Sequence, residues 1–157
     1  MAKSFRIPHG KIITSMAVRD DLMSGESYFI KEIKYLNRII QSLSEERLII
    51  CAIDEILRGT NTEERIAASA SILKYLNNKN CIAIVASHDI ELTQILSGLY
   101  DNYHFCEQIQ ENDIIFEYKI HEGAATTKNA IKLLELTHFP KEIISNAKNL
   151  KYIQNNA

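Results

Sequence analysis

The stretch RLIICAIDEILRGTNTEERIAAS, residues 47–69, decides the reading of this chain. Residues 47–53 are almost continuously apolar and rich in β-branched side chains, and the run is short enough for a strand covered on both faces. Its C-terminal end delivers two adjacent carboxylates, Asp54 and Glu55. Open parallel sheets place ligand-binding groups at such strand ends. Asn61, with Glu64 three positions on, forms a capping pair in which Asn replaces the usual Ser or Thr. It predicts a helix running to about Leu76 and stopping at Asn77 and Asn78.

Outward from this stretch the same alternation continues. Residues 81–86 (CIAIVA) read as a second buried strand, followed by Ser87, His88 and a short helix over 89–96. Strand–helix–strand order favours a right-handed crossover and parallel pairing, which would bring His88 out beside Asp54 and Glu55 on one sheet edge. Upstream, the β-branched run 11–18 (KIITSMAV) predicts another strand. The loop Ser24-Gly25-Glu26-Ser27 feeds a helix over about 28–43. There Ile30, Ile33, Leu36, Ile40 and Leu43 recur at three- and four-residue steps, predicting one apolar face, with Lys31, Glu32, Lys34 and Arg38 largely on the other. Downstream, the runs 103–110 and 114–121 flank Glu111-Asn112-Asp113, the pattern of a hairpin. Helices near 127–136 and 141–153 close the chain, with Pro140 suited to the first turn of the second. The expectation is a single α/β domain spanning 1–157: a parallel strand–helix core, a late antiparallel hairpin and C-terminal helices.

Composition narrows the function classes. A chain of 157 residues, 46% apolar and 24% charged, has the make-up of a soluble globular domain. No apolar run reaches the ~20 residues that cross a bilayer, and the N-terminus lacks a signal-peptide core. A net charge of -2 gives no overall attraction to nucleic acid. Cys51, Cys81 and Cys106 are odd in number and widely spaced, which argues against a disulfide framework or a zinc site and for reduced thiols in a cytoplasmic protein.

The chemistry-bearing residues fall in three segments. At the first strand end, Asp54 suits a hydrated magnesium ion and Glu55 suits orienting or deprotonating a water. Taken alone such a pair is common, because helices and loops begin with acids. At the second, a neutral His88 can contact a terminal phosphate or the attacking water, or simply cap the next helix. In the third, DDLMSGESYF (20–29), small hydroxyl residues and a glycine precede a helix and leave backbone N–H groups open to an anion, as an ordinary capped helix start also does.

Together, DDLMSGESYFIKEI, LIICAIDEILRGTNTEERIAAS and IVASHDIELTQIL resemble successive motifs of the ATPase domain of the MutS family, an ABC-type P-loop NTPase. The likeness extends through the hairpin to residues 121–125 and 140–144 and covers almost the whole chain. It implies Asp54 as the Walker B acid associated with magnesium, Glu55 as the catalytic glutamate and His88 as the switch histidine. Gly59, Thr60, Asn61 and Thr62 correspond to the loop at the subunit interface. Ser24, Gly25 and Ser27 correspond to the signature segment that reaches the partner's nucleotide across a head-to-head dimer. Arg58-Gly59-Thr60 and DDLMSGES set the chain apart from transporter-type ABC proteins with their LSGG-like signature.

One motif of that family is missing. The phosphate-binding loop G-x-x-x-x-G-K-[ST] occurs nowhere, and Gly10-Lys11 has no glycine five residues before it. The sequence therefore reads as the C-terminal portion of such a domain, either cut from a longer protein or a degenerate homologue kept for dimerisation. The absent part is expected to include a strand beside the one ending in Asp54. ATP and magnesium are expected to bind the completed domain and neither to bind this chain tightly alone. The remaining expectations are self-association, DNA contact only through regions of the parent outside this sequence, and no membrane contact. The competing readings are a non-catalytic interaction module and a fragment of another ABC-type ATPase.

Overall fold

In the structure, a computed structural model, the residues described are 3–4, 6–16, 28–43, 47–110, 113–126 and 129–155. Two compact units divide the chain, Met1–Asp101 and Asn102–Ala157.

The first unit is a three-stranded parallel sheet with helices in the crossovers. Strand β1 (Gly10–Ser15), helix α1 (Tyr28–Ser42), strand β2 (Leu48–Asp54), helix α2 (Thr62–Asn77), strand β3 (Cys81–Ala86) and short helix α3 (Glu91–Ile95) follow in order. The strands lie in the order β1-β2-β3, so β2 is hydrogen-bonded on both edges. In register, Ile12 pairs with Ile50 and Ile50 with Ile82; Ile53 pairs with Val85 and Asp54 with Ala86. Parallel pairing, inferred from the alternation, is therefore present. The expectation of a missing strand beside β2 is overturned, because β1 and β3 occupy both places. A further strand would have to join at an outer edge of β1 or β3.

Side-chain alternation gives this sheet two unlike faces. One face carries Ile13, Ile49, Cys51 and Ile53, which are buried with Leu36 and Ile39 of α1 and Ala70, Leu73 and Leu76 of α2. Both helices thus cover the same face. On the opposite face Ile12 is 72%, Ile82 46% and Ile84 64% exposed. Three exposed isoleucines on a parallel sheet are unusual, since such sheets are ordinarily covered on both sides.

The buried face of α1 is rotated from the expected one but overlaps it: Leu36, Ile40 and Leu43 pack on the core as expected. Ile30 and Ile33 are exposed, while Glu32, Leu36, Ile39 and Ser42 point into the core side. The steps 32, 36, 39 are as helical as 30, 33, 36, so period alone did not distinguish the two stripes. The buried one contains a carboxylate because a partner waits for it. Helix α2 begins as expected: the Asn61 side chain accepts from Glu64 N at 2.9 Å and the first turn carries Glu63 and Glu64.

The second unit contains the antiparallel pair β4 (Tyr103–Gln110) and β5 (Asp113–Glu122), then α4 (Ala130–Leu136) and α5 (Lys141–Asn155). The hairpin and both helices agree with the sequence reading; of its turn, Glu111 and Asn112 lie outside the described residues. Pro140 stands just ahead of α5, its carbonyl accepting from Ile143 and Ile144. α4 ends with His138 in the left-handed region at φ 59, its N–H donating to Glu135 O and that of Phe139 to Leu134 O. These bonds make a Schellman cap with His where Gly is usual. Glu135 pairs with both Lys132 and Lys148, joining α4 to α5.

Leu76 is 1% exposed and packs at the end of α2 against the sheet. Leu76→Ala should lower unfolding stability by about 2–5 kcal/mol. Urea denaturation followed by circular dichroism measures it, and a loss below 1 kcal/mol would mean that the site collapses around the smaller side chain.

Candidate active site

Strand β2 runs out of partners at Asp54, and the backbone then turns sharply. Glu55 and Leu57 both take left-handed conformations, with φ of 54 and 56. Such torsions cost a side-chain-bearing residue roughly 1–2 kcal/mol each. Burial holds them in place: Ile56 is 2% and Leu57 7% exposed, and Glu55 N donates to Ala86 O of β3 at 3.0 Å. The turn therefore fixes Glu55 over the end of β3, while Asp54 stays exposed at the tip.

The next residues on that edge come from β3. His88 Nδ1 lies 3.0 Å from Glu55 Oε1, and Arg58 Nε lies 3.3 Å from Glu55 Oε2. Thus the expected convergence of Glu55 and His88 is present, with Arg58 as a third member that the sequence reading did not anticipate. With Glu55 ionised, Nδ1 carries the proton and donates, leaving Nε2 of a neutral ring as an acceptor. Both oxygens of Glu55 are engaged. The His88 ring is 60% exposed at its side chain and open to a ligand.

Two buried contacts brace this edge. Glu32, 4% exposed on α1, accepts from Arg58 N at 3.3 Å and from Gly59 N at 3.1 Å, one carboxylate oxygen to each. Gly59 is required there because a Cβ would stand 2.8 Å from Cβ of Phe29. α1 and the loop after Glu55 are therefore locked together at the backbone. The second brace is a bidentate pair: Arg65 of α2 donates from Nε to Asp89 Oδ2 at 2.8 Å and from Nη2 to Asp89 Oδ1 at 2.7 Å. Asp89 N in turn donates to Ser87 Oγ at 3.1 Å, which fixes the backbone on both sides of His88. Nothing in the sequence pairs Arg65 with Asp89, 24 residues away. Glu32 did leave a trace, as a charged residue in helical step with Leu36 and Ile39.

Of the residues expected in a subunit-interface loop, Thr60 Oγ1 donates to Glu64 Oε2 at 3.3 Å, Asn61 caps α2, and Thr62 Oγ1 accepts from Arg65 Nη2 at 3.5 Å. All of them lie at the start of α2, and Asn61 and Thr62 are exposed. Ser24, Gly25 and Ser27 lie outside the described residues. The cysteines are free. Cys51 is fully buried with its Sγ 3.6 Å from that of Cys81, and burial pushes its thiol up to about 12, so it is no nucleophile. No helix among the described residues is long and apolar enough to cross a membrane.

The Arg65 guanidinium holds the Asp89 carboxyl below its usual range. A depressed folded-state value contributes stability above the unfolded value of about 3.9, and that contribution is lost as pH falls through the folded value. Asp89→Asn should therefore cost about 1.5–3 kcal/mol near neutrality. The gap to the parent protein should shrink below about pH 4. Chemical melts of both proteins across that range measure it, and a gap independent of pH would mean that shape rather than charge makes the contact.

The chain's sequence places this arrangement among known proteins. Residues 2–154 match the family model described as MutS domain V. The DNA mismatch repair protein MutS of Clostridium perfringens is 33% identical over 145 residues, covering 89% of this chain and 16% of that protein. MutS protein homolog 4 of Homo sapiens is 34% identical over 157 residues, covering 94% of this chain and 16% of its own length. The DNA mismatch repair protein MutS of Thermus thermophilus is 26% identical over 139 residues, covering 88% and 17%. This chain thus spans about one sixth of the length of the curated relatives it matches. With nearly its whole length matched, the chain belongs to the MutS domain V family.

Proposed function

We propose that this chain carries the water-activating half of a MutS-like, DNA-associated ATPase, which works when joined to a phosphate-binding loop and paired with a second subunit. The observation that supports it most is the meeting of Glu55 and His88, 3.0 Å apart, at the ends of adjacent parallel strands. Two titratable groups at neighbouring strand ends are what phosphoryl transfer to water requires: one to take a proton, one to face the transferred phosphoryl group.

In this reading Asp54 holds magnesium. A single exposed carboxylate at a strand tip fits that ion, which keeps several waters and takes one or two carboxylates beside phosphate oxygens. When bound, magnesium neutralises charge developing on the phosphate oxygens. Glu55 orients the attacking water and accepts its proton. Each of its oxygens meets one partner, His88 or Arg58, and keeps a further lone pair with which to hold that water. His88 faces the terminal phosphate. Glu32 and the Arg65–Asp89 pair keep the loop and the histidine in place meanwhile. Gly59, Thr60, Asn61 and Thr62 form the subunit-facing loop, and Ser24, Gly25 and Ser27 reach the partner's nucleotide. The bare sheet face bearing Ile12, Ile82 and Ile84 is where the rest of such a domain packs. DNA is held by regions of the parent beyond this sequence.

Calorimetric titration of the chain with Mg-ATP should show no detectable binding. Joined to an upstream segment bearing G-x-x-x-x-G-K-[ST], it should hydrolyse ATP, and Glu55→Gln should slow turnover by about 10²-fold or more while sparing binding. Ser27→Ala in that protein should weaken nucleotide-dependent dimerisation more than nucleotide binding. A completed domain that binds Mg-ATP yet turns over equally well as Glu55→Gln would sink the assignment. Mg-ATP binding by the chain alone would remove the need for the added loop.

A further inference from the structure

The hairpin of the second unit holds a group of side chains that the ATPase reading does not use. Between the pairs Phe105–Ile120 and Glu107–Phe116 the register breaks, so Cys106 alone faces Glu117, Tyr118 and Lys119. Tyr118 sits at the centre of this bulge in the left-handed region, φ 52, with its own side chain 83% exposed. Bulges re-aim neighbouring side chains, and here they bring three unlike groups to one place. Cys106 Sγ, a Glu117 carboxylate oxygen and a His121 ring nitrogen all lie within 4.8 Å of one another. Among the described residues no other group of three such side chains converges in this way.

Two details point to an ion at their centre. His121 Nε2 is shielded from solvent yet has no hydrogen-bond partner among the described residues, although 42% of its side chain is exposed. An unpaired buried nitrogen costs roughly 1–3 kcal/mol, so a partner of some kind is favoured. The Glu117 carboxylate stands 3.9 Å from that nitrogen, too far to bond to it directly. A ligand-to-ligand spacing near that value is what a shared ion produces: with bonds of about 2.0–2.3 Å, tetrahedral ligands stand roughly 3.3–3.8 Å apart.

We propose that Cys106, Glu117 and His121 bind a zinc-like transition-metal ion that staples β4 to β5 across the bulge. The donor set selects the ion class. One thiolate, one imidazole and one carboxylate match zinc and its first-row neighbours, while calcium and magnesium want oxygen ligands only. Three protein ligands leave the fourth position to water. The spacing Cys-x10-Glu-x3-His contains no paired cysteines, so the argument from cysteine spacing against a zinc site does not reach it. Binding releases the thiol proton and closes the cluster by about 1 Å, a movement that side-chain rotation supplies. The ring of His104 lies 5.6 Å from that of His121 and its Nδ1 is 3.0 Å from Gly123 O, which limits the directions in which His121 can swing.

The test uses the full chain stripped with EDTA, then titrated with Co²⁺ and with Zn²⁺ under reducing conditions. The expected result is one Co²⁺ per chain with a sulfur-to-cobalt charge-transfer band, displaced by one equivalent of Zn²⁺. Cys106→Ser should abolish the band, while Cys81→Ser should retain it. Glu117→Gln, which keeps the shape of the side chain, should weaken binding by roughly tenfold or more. Zinc should also raise the melting temperature of the parent chain and not that of Cys106→Ser. Circular dichroism of the stripped proteins shows whether each variant is folded. Absence of the charge-transfer band in the folded parent chain, or its persistence in Cys106→Ser, overturns the proposal.

Discussion

The double pairing of β2 is the constraint from which the rest of the first unit follows. Residues Leu48–Asp54 are hydrogen-bonded to β1 on one edge and β3 on the other, so their position along the sheet cannot slip without breaking both ladders. A slip of one residue would also exchange Ile49, Cys51 and Ile53 for the opposite set, turning the buried face outward. Register is thereby fixed by burial, and with it the height at which Asp54 and Glu55 leave the sheet. The end of β3 is set by the same register, since Asp54 pairs with Ala86 and His88 follows two residues later. The 3.0 Å approach of His88 to Glu55 follows from strand pairing together with the turn that carries Glu55 over the end of β3.

What strand pairing does not fix, buried polar contacts do. The turn after Asp54 contains two left-handed residues and a glycine pressed against Phe29, a conformation no local propensity favours. Glu32 makes it stable by accepting two successive backbone N–H groups, which satisfy a carboxylate that is itself buried. Arg65 and Asp89 do the corresponding work on the other side, with a planar fork that a lysine could not reproduce. The exposed edge thus rests on the buried carboxylates of Glu32 and Asp89.

This division explains what was legible in the sequence. The strands could be read because apolar β-branched runs such as 47–53 and 81–86 carry their own signal, and the Asn61 cap is local. The convergence of Glu55 with His88 could be read because parallel neighbours put their C-terminal ends together. Glu32 could not be assigned correctly, since a charge on a helix is ordinarily solvated and the competing stripe of Ile30 and Ile33 had the same period. Arg65–Asp89 and Cys106–Glu117–His121 left no trace at all. Each joins residues that only tertiary contact or a bulge brings together, and no periodicity encodes a bulge.

The engagement of Glu55 carries a functional argument. In the proposed function Glu55 takes a proton from water, and in the structure one of its oxygens meets His88 and the other Arg58, each keeping a further lone pair for that water. Both partners belong to segments that the proposed function assigns to contact with nucleotide or a second subunit. Drawing either away opens Glu55 further to water, and the cost is small, because exposed ion pairs contribute about 0–1 kcal/mol. The buried clamps cost far more to break, so loop and strand end stay in place while the exposed pairs exchange. An arrangement with weak contacts at Glu55 and strong ones behind it can respond to assembly without unfolding. In the proposed function, that asymmetry couples water activation to completion of the site.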